Sequence, residues 1–524
     1  MTADPRWVDA PNGDFSLRLD SPCRDAAGAL GIARDGAGAP RAQDGSGDGL
    51  AIPDIGAFEA DDVHGGLACF FAPDKREGVG GLDVTFTASV LGAEEEIVAY
   101  GWDLGNRRLE GAGLGQVVNH YEPGIYDVSL TVSNSAGATA AWTWRTCIRV
   151  GPAVAYVAPQ GGNQPPFDSW EKAATTIQAA LRLATASPEG ATRIVVADGL
   201  YPVASSAEAI YIDRGITLAS LGGPSRAILR GTTGADVYPN IEVNHPDAVV
   251  EGFASEQGHF GAVVSRGTLR HCILRDNTGH AAYGHDSGYG AGLRQYGGLV
   301  ESCLIATNTV GGETGCQGAG VFMRGASLLR NSAITHNAVL RNMGATGAGI
   351  TLVDPLQRAV VRNCLIAGNT VNGYTLAVSG GGVRIHGGHL QNCTVVGNAI
   401  TGSLPSAGGI GGSGGTVVNA LVWGNLAGGQ PGGDIATPAI CSFSCSPGLT
   451  EGERGNVTRA PRFVDAVSGD YHLLPGSPGI NAGVNQTWMA GAVDLGGQPR
   501  IASRTVDMGA FEHLPPTRTL LILK

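Results

Sequence analysis

The stretch Asn392-Cys393-Thr394-Val395-Val396-Gly397-Asn398 decides the fold. Its alternation sends Cys393 and Val395 to one side of a strand and Thr394 to the other, and its last Asn stands five positions after the Cys. The same spacing joins Cys272 to Asn277, Cys303 to Asn308, Ser332 to Asn337, Cys364 to Asn369 and Ala420 to Asn425. Successive Asn residues lie 31, 29, 32, 29 and 27 positions apart. Self-similarity near such a period means one coil per repeat, each stacked on the last.

Working outward from that stretch, Leu274, Ile305, Ile334, Ile366 and Val422 are the inward aliphatics equivalent to Val395. A loop follows each Asn, then a Gly-rich turn and a second strand: Gly290-Ala291-Gly292-Leu293, Gly318-Ala319-Gly320-Val321, Gly347-Ala348-Gly349-Ile350, Gly380-Gly381-Gly382-Val383 and Gly408-Gly409-Ile410. Each coil therefore reads as a two-part unit. Stacked Asn amides can bond one another and the turn backbone, which the bend would otherwise leave unpaired. Cys at the ladder position acts as a small buried apolar residue. About ten coils between 190 and 455, with parallel strands about 4.8 Å apart, give a rod on the order of 50 Å long. The fold class expected is all-β, a parallel β-solenoid.

Composition agrees. The chain has 524 residues with 83 Gly, far more Gly than usual but without the three-residue period of collagen. Formal net charge is −12, and Lys75, Lys172 and Lys524 are the only Lys residues. No basic face points to nucleic acid, and no run of eighteen apolar residues points to a membrane span. The ten Cys residues lack CxxC pairs or Cys/His metal spacing. Cys69 with Cys147, and Cys441 with Cys445, are the pairs left open as disulfides.

Outward positions of the second strand carry what chemistry the solenoid offers. One column holds Arg294, Phe322, Thr351 and Arg384; the next holds Tyr296, Arg324, Val353 and His386. Above them runs a loop with His280, Tyr283, His285, Asp286 and Tyr289. Arg beside aromatic rings on a flat sheet suits an anionic or neutral glycan, by paired hydrogen bonds and ring stacking. Arg294, Tyr296, Phe322, Arg324, Arg384 and His386 are the expected ligand contacts. Were the face catalytic, the reaction would be β-elimination on a uronic acid, with His285, Tyr289, Arg294 and His386 as candidates for neutralising the carboxylate and moving the proton. Hydrolysis would need two facing carboxylates, and Asp286, Glu313 and Asp354 are scattered over different loops. Plain surface remains the alternative for the whole set.

The two ends repeat one another. Pro5-Arg6-Trp7-Val8-Asp9-Ala10, Gly13-Asp14-Phe15 and Ser21-Pro22 return as Pro461-Arg462-Phe463-Val464-Asp465-Ala466, Gly469-Asp470-Tyr471 and Ser477-Pro478. Pro40-Arg41 and Asp54-Ile55-Gly56-Ala57-Phe58-Glu59 return as Pro499-Arg500 and Asp507-Met508-Gly509-Ala510-Phe511-Glu512. These motifs resemble the choice-of-anchor type segment that closes many secreted bacterial parallel β-helix proteins, and the resemblance implies last coils and a cap. Its acids form either turns and ion pairs or a calcium site; a hard cation needs six to eight converging oxygens, and no cofactor is expected.

Between the ends, Val84–Phe86 and Tyr126-Val128-Leu130-Val132 alternate with period two, as in a β-sandwich. Tyr100-Gly101-Trp102-Asp103-Leu104-Gly105, His120-Tyr121 and Gly124-Ile125-Tyr126 resemble the PKD domain, an immunoglobulin-like fold, with Asn106 where that family usually has Asp. The resemblance implies a spacer or a weak binder of carbohydrate or protein, with Trp102 either in the core or serving as a sugar platform. Farther on, Ala173, Ala174, Ile177, Ala180, Leu181 and Ala184 recur at helical spacing behind a capping box of Asp168 and Glu171. That stretch, with Ala197-Asp198-Gly199-Leu200-Tyr201, looks like the start of pectate-lyase-like right-handed parallel β-helices, although the clustered calcium-binding acids of pectate lyases are missing.

The expected organisation is thus 1–62 anchor-type module, 66–152 PKD-like sandwich, 153–457 right-handed parallel β-helix with a helical N-terminal cap, 458–515 closing module and 516–524 tail. The expected role is an extracellular or cell-surface bacterial protein, a fragment of a longer polypeptide, that binds glycan or serves as an adhesive scaffold. Polysaccharide lysis and head-to-tail filament assembly through residues 1–62 are the alternatives.

Overall fold

The computed structural model describes residues 5–9, 14–18, 21–24, 26, 55–56, 67–91, 96–188, 190–232, 237–281, 288–312, 315–342, 346–373, 378–401, 405–431, 433–436 and 439–514. The chain divides into two compact units, Met1–Val150 and Gly151–Lys524.

In the first unit a three-stranded antiparallel sheet (Ala68–Pro73, Leu82–Leu91, Gln116–Tyr121) faces a five-stranded one that includes Ile97–Asp103, Gly124–Asn134 and Thr139–Gly151. Alternation buries Val84, Phe86, Val128, Leu130 and Val132 between the sheets. Trp102 is a core residue, 1% exposed, with Phe71 and Phe86 against its ring and Leu114 accepting its indole N–H at 2.9 Å. Asn106, which departs from the usual Asp, donates to the His120 carbonyl and accepts from Asn119, tying its segment to the strand Gln116–Tyr121 by neutral hydrogen bonds.

The second unit is a parallel β-solenoid. Four stacked sheets run along it, of eleven, nine, nine and seven strands. One coil shows the course: Val383–Gly387, His389–Gln391, Thr394–Val396 and Ala399–Thr401. The expected two-part coil is therefore a four-strand coil. The extra strands leave little periodic signal, because each is at most five residues long and one inward side chain suffices to fix it. Three of the sheets enclose the main core. The fourth packs Val310, Val339, Val371 and Ile400 on Ala291, Ala319, Ala348 and Cys316, forming a second, smaller apolar column.

Corners explain why the chain turns where it does. Residues before the Cys position (His271, Ser302, Asn331, Asn363, Asn392, Asn419) have φ between 48° and 55°. Those before the ladder Asn (Asp276, Thr307, His336, Gly368, Gly397, Gly424) have φ between 54° and 69°. A single left-handed residue bends a strand sharply, and Asn and Gly adopt that conformation at least cost.

The second corner holds the Asn stack. The Asn308 side-chain oxygen accepts both the backbone N–H of Asn277 (3.1 Å) and its Nδ2 (2.9 Å), while Asn308 Nδ2 donates to Asn337 (2.9 Å) and to the Leu274 carbonyl (2.9 Å). The pattern repeats through Asn337, Asn369 and Asn398. Asp434 ends it, accepting from the backbone N–H and Nδ2 of Asn425 at 2.9 and 2.7 Å. Cys364 and Cys393 are stacked on adjacent coils at 0% exposure, and burial holds the Cys364 thiol far above its ordinary pKa. All ten Cys residues are buried thiols outside any disulfide. The pairs left open as disulfides are not bonded: Cys69 Sγ turns to the Leu130 carbonyl, Cys441 Sγ to Ala439 and Cys445 Sγ to Arg459.

The first open end carries the helix, α1 (Ile177–Leu183), which buries Ile177, Ala180 and Leu183. It is shorter than the sequence pattern suggests. Thr176 caps it by accepting from Ala179 at 3.2 Å, and Ala174 bridges to Val157 as a strand residue, which takes Ala173 and Ala174 out of the helix. Asp168 is no cap; it pairs with Lys172 at 2.9 Å.

Residues 458–514 add no rung to the four sheets. After a hairpin (Phe463–Asp465, Asp470–Leu473) the segment lies along the corners of earlier coils. Asn363, Asn392 and Asn419 donate side-chain hydrogen bonds to the carbonyls of Val493, Asp507 and Val484 (2.9, 3.2 and 3.0 Å). Ala510 N–H donates to Thr394 Oγ1 at 2.9 Å, so Thr394 points outward as expected yet is fully buried. Met508 packs with Leu421, Cys445 and Leu473. The acids of this segment serve its turns: Asp465 accepts from Val467 and Ser468, Asp507 from Asn481 and His513, and Glu512 pairs with the buried Arg500 at 3.1 Å.

Candidate functional site

The site sheet comprises nine strands from Ile210–Ile212 to Ile435–Ala436. In-register pairing places Tyr211, Glu242, Val263, Arg294, Phe322, Thr351, Arg384 and Gly411 in one outward column. Arg324, Val353 and His386 form the next, with Tyr296 just beyond the strand above Arg324. Both columns stand where the Gly-rich period places them.

Within the columns the side chains fall into two groups. Arg294 lays its guanidinium 3.6 Å from the centroid of Phe260 and donates from Nε to the Tyr289 carbonyl at 2.7 Å. Tyr289 stacks on Phe322 with centroids 5.0 Å apart and planes at 17°. Arg324 lies 4.8 Å over the same Phe322 ring. Phe322 is consequently covered, 1% exposed. It supports Tyr289 and Arg324 from below instead of presenting its own ring, because these two neighbours occupy its surface. Tyr296 at 40% exposure and Arg324 are the open members of this group.

The second group is self-contained. Arg384 Nε donates to His386 Nε2 and Nη1 to Thr346 Oγ1 at 2.6 Å, while His386 Nδ1 meets Ser413 Oγ. Burial, then the Arg384 charge, push the His386 pKa below its ordinary value, so the ring is neutral near pH 7. Its Nε2 lone pair is engaged by the guanidinium and is not free to take a proton from a ligand. Thr351 is fully buried.

His285, Tyr283, Asp286 and Glu313 lie outside the described residues. Asp354 is buried in its own turn, accepting the backbone N–H groups of Arg358 and Ala359, and so is not a facing carboxylate for hydrolysis. Sequence reasoning overlooked Glu242. It stands in the Arg294 column two strands away, about 10 Å by strand spacing, and burial raises its carboxyl pKa. The signal was there in the alternation of Ile241-Glu242-Val243, whose two aliphatics are fully buried.

Residues 71–146 match the family model of the PKD domain. No curated protein matches the chain. Among solved structures, a chain from a study of promiscuous specificity in carbohydrate-binding modules of the β-sandwich superfamily is similar at 25% identity over 17% of this chain and 36% of its own, with a TM-score of 0.16. A likeness that slight transfers neither fold nor ligand. No helix among the described residues is long and apolar enough to cross a membrane.

Proposed function

We propose that the chain is an extracellular or cell-surface scaffold whose solenoid binds glycan along the columns from Tyr289 to Arg324. The observation that carries this reading is the stacked group of Arg294, Tyr289, Phe322 and Arg324, with Tyr296 open beside it. Two guanidinium groups held on rings are presented with little freedom left to lose, and they suit carboxylate- or sulfate-bearing sugars. The exposed Tyr296 ring offers an apolar sugar face a surface to stack on. Binding is favoured over lysis because His386, the candidate base, already accepts from Arg384. The PKD match supports the extracellular setting, and in such a protein the sandwich acts as a spacer.

A panel of neutral, uronate and sulfated glycans tests this on the full chain, with absorbance followed for unsaturated product. Binding without new absorbance is expected, and Arg294→Ala, Arg324→Ala and Tyr296→Ala should each weaken it about tenfold or more, a change of about 1.4 kcal/mol. Rising absorbance would make the protein a lyase. Binding untouched by all three substitutions would remove this face from consideration.

A further inference from the structure

The sequence repeat at the two ends is also a structural repeat. Trp7 pairs with Leu17 and Asp9 with Asp14, as Phe463 pairs with Leu473 and Asp465 with Asp470. Trp7 and Phe15 meet edge to face at 5.4 Å and 90°; Phe463 and Tyr471 do so at 5.3 Å and 87°. Arg18 N–H bonds the Arg6 carbonyl at 3.0 Å, as Leu474 does Arg462 at 2.8 Å. Ile55 N–H bonds the Cys23 carbonyl at 2.8 Å, as Met508 does Gly479 at 2.9 Å.

Among the described residues, a difference in burial separates the copies. Met508 is fully buried against Leu421 of the solenoid, whereas its counterpart Ile55 is 38% exposed. The residue equivalent to Met508 is thus left partly open in the first copy. The surface that the second copy covers consists of three stacked left-handed Asn corners, Asn363, Asn392 and Asn419, with Thr394 and Leu421 beside them, and in this chain residues 484–510 occupy it.

We propose that the first copy, through Ile55, docks on the flank of a second parallel β-solenoid that presents stacked Asn corners beside an outward Leu. A second copy of this chain is such a solenoid when its own closing segment is displaced. The contact would be heterologous, between Ile55 of one chain and the flank of another.

The test is sedimentation of the full chain over a range of concentrations. Wild type has its flank covered and stays monomeric. Met508→Asp releases the closing segment, seen as protease cleavage within 458–514, and the chain then self-associates; adding Ile55→Asp returns it to monomer. Should Met508→Asp fail to fold, Met508→Ala is read the same way. A chain with its closing segment released that remains monomeric throughout overturns the proposal. So does association that survives Ile55→Asp, since bare Leu421 would then be the adhesive group.

Discussion

The Asn corner and the outward face of the site sheet are made by the same coils, yet only the corner repeats. From Asn277 to Asn425 every rung carries the same amide in the same bonds. Over the same rungs the outward column reads Arg294, Phe322, Thr351, Arg384 and Gly411. Positions that hold coil on coil have one workable solution, because each amide must satisfy its neighbour's donors as well as its own. Outward positions are free to differ, because no neighbouring coil constrains them in the same way.

Breaking the repeated side should have the largest effect. Asn369→Ala leaves the backbone N–H and Nδ2 of Asn337 without their shared acceptor. Two buried donors at about 1–3 kcal/mol each predict a loss of about 2–6 kcal/mol, read as a lower urea midpoint for the solenoid.

The closing segment sharpens the comparison through pH. Burial raises the Glu512 carboxyl to about 7, partly offset by Arg500, and raises Asp507 as well. The folded state therefore binds more protons than the unfolded chain between about 4.5 and 7. Stability should be greatest at the acidic side of that window and fall as pH rises through it, by an amount on the order of 3 kcal/mol from Glu512. Proteolytic release of residues 458–514 should accordingly be slower at pH 5 than at pH 7.5.

The unrepeated side should give the smallest effect on stability. Tyr296→Ala and Arg324→Ala alter exposed side chains and should shift the midpoint by less than about 0.5 kcal/mol, although both sit at the heart of the proposed ligand face.

Much of this was legible in the chain itself. The inward Cys and aliphatic positions, the amide stack and both outward columns follow from one period, while the choice for Trp102 between core and sugar platform is decided by its burial. The left-handed corners are also written there, as Asn before Cys, Ser or Ala and as Gly before Asn, although neither pattern holds in the earlier coils, where His271, Ser302, Asp276 and Thr307 take those places. Two features could not be read locally. Asp434 ends the amide stack from nine residues beyond Asn425, outside the period. Burial of Thr394 depends on Ala510, 116 residues away, a contact no strand pattern encodes.

The central claim is that repeated positions build and unrepeated positions bind. Glycan-binding isotherms for Arg324→Ala and Asn369→Ala, taken where both variants remain folded, test it most directly. The account predicts affinity lowered about tenfold or more by Arg324→Ala and kept by Asn369→Ala. Unchanged affinity in Arg324→Ala, or its loss in folded Asn369→Ala, would contradict it.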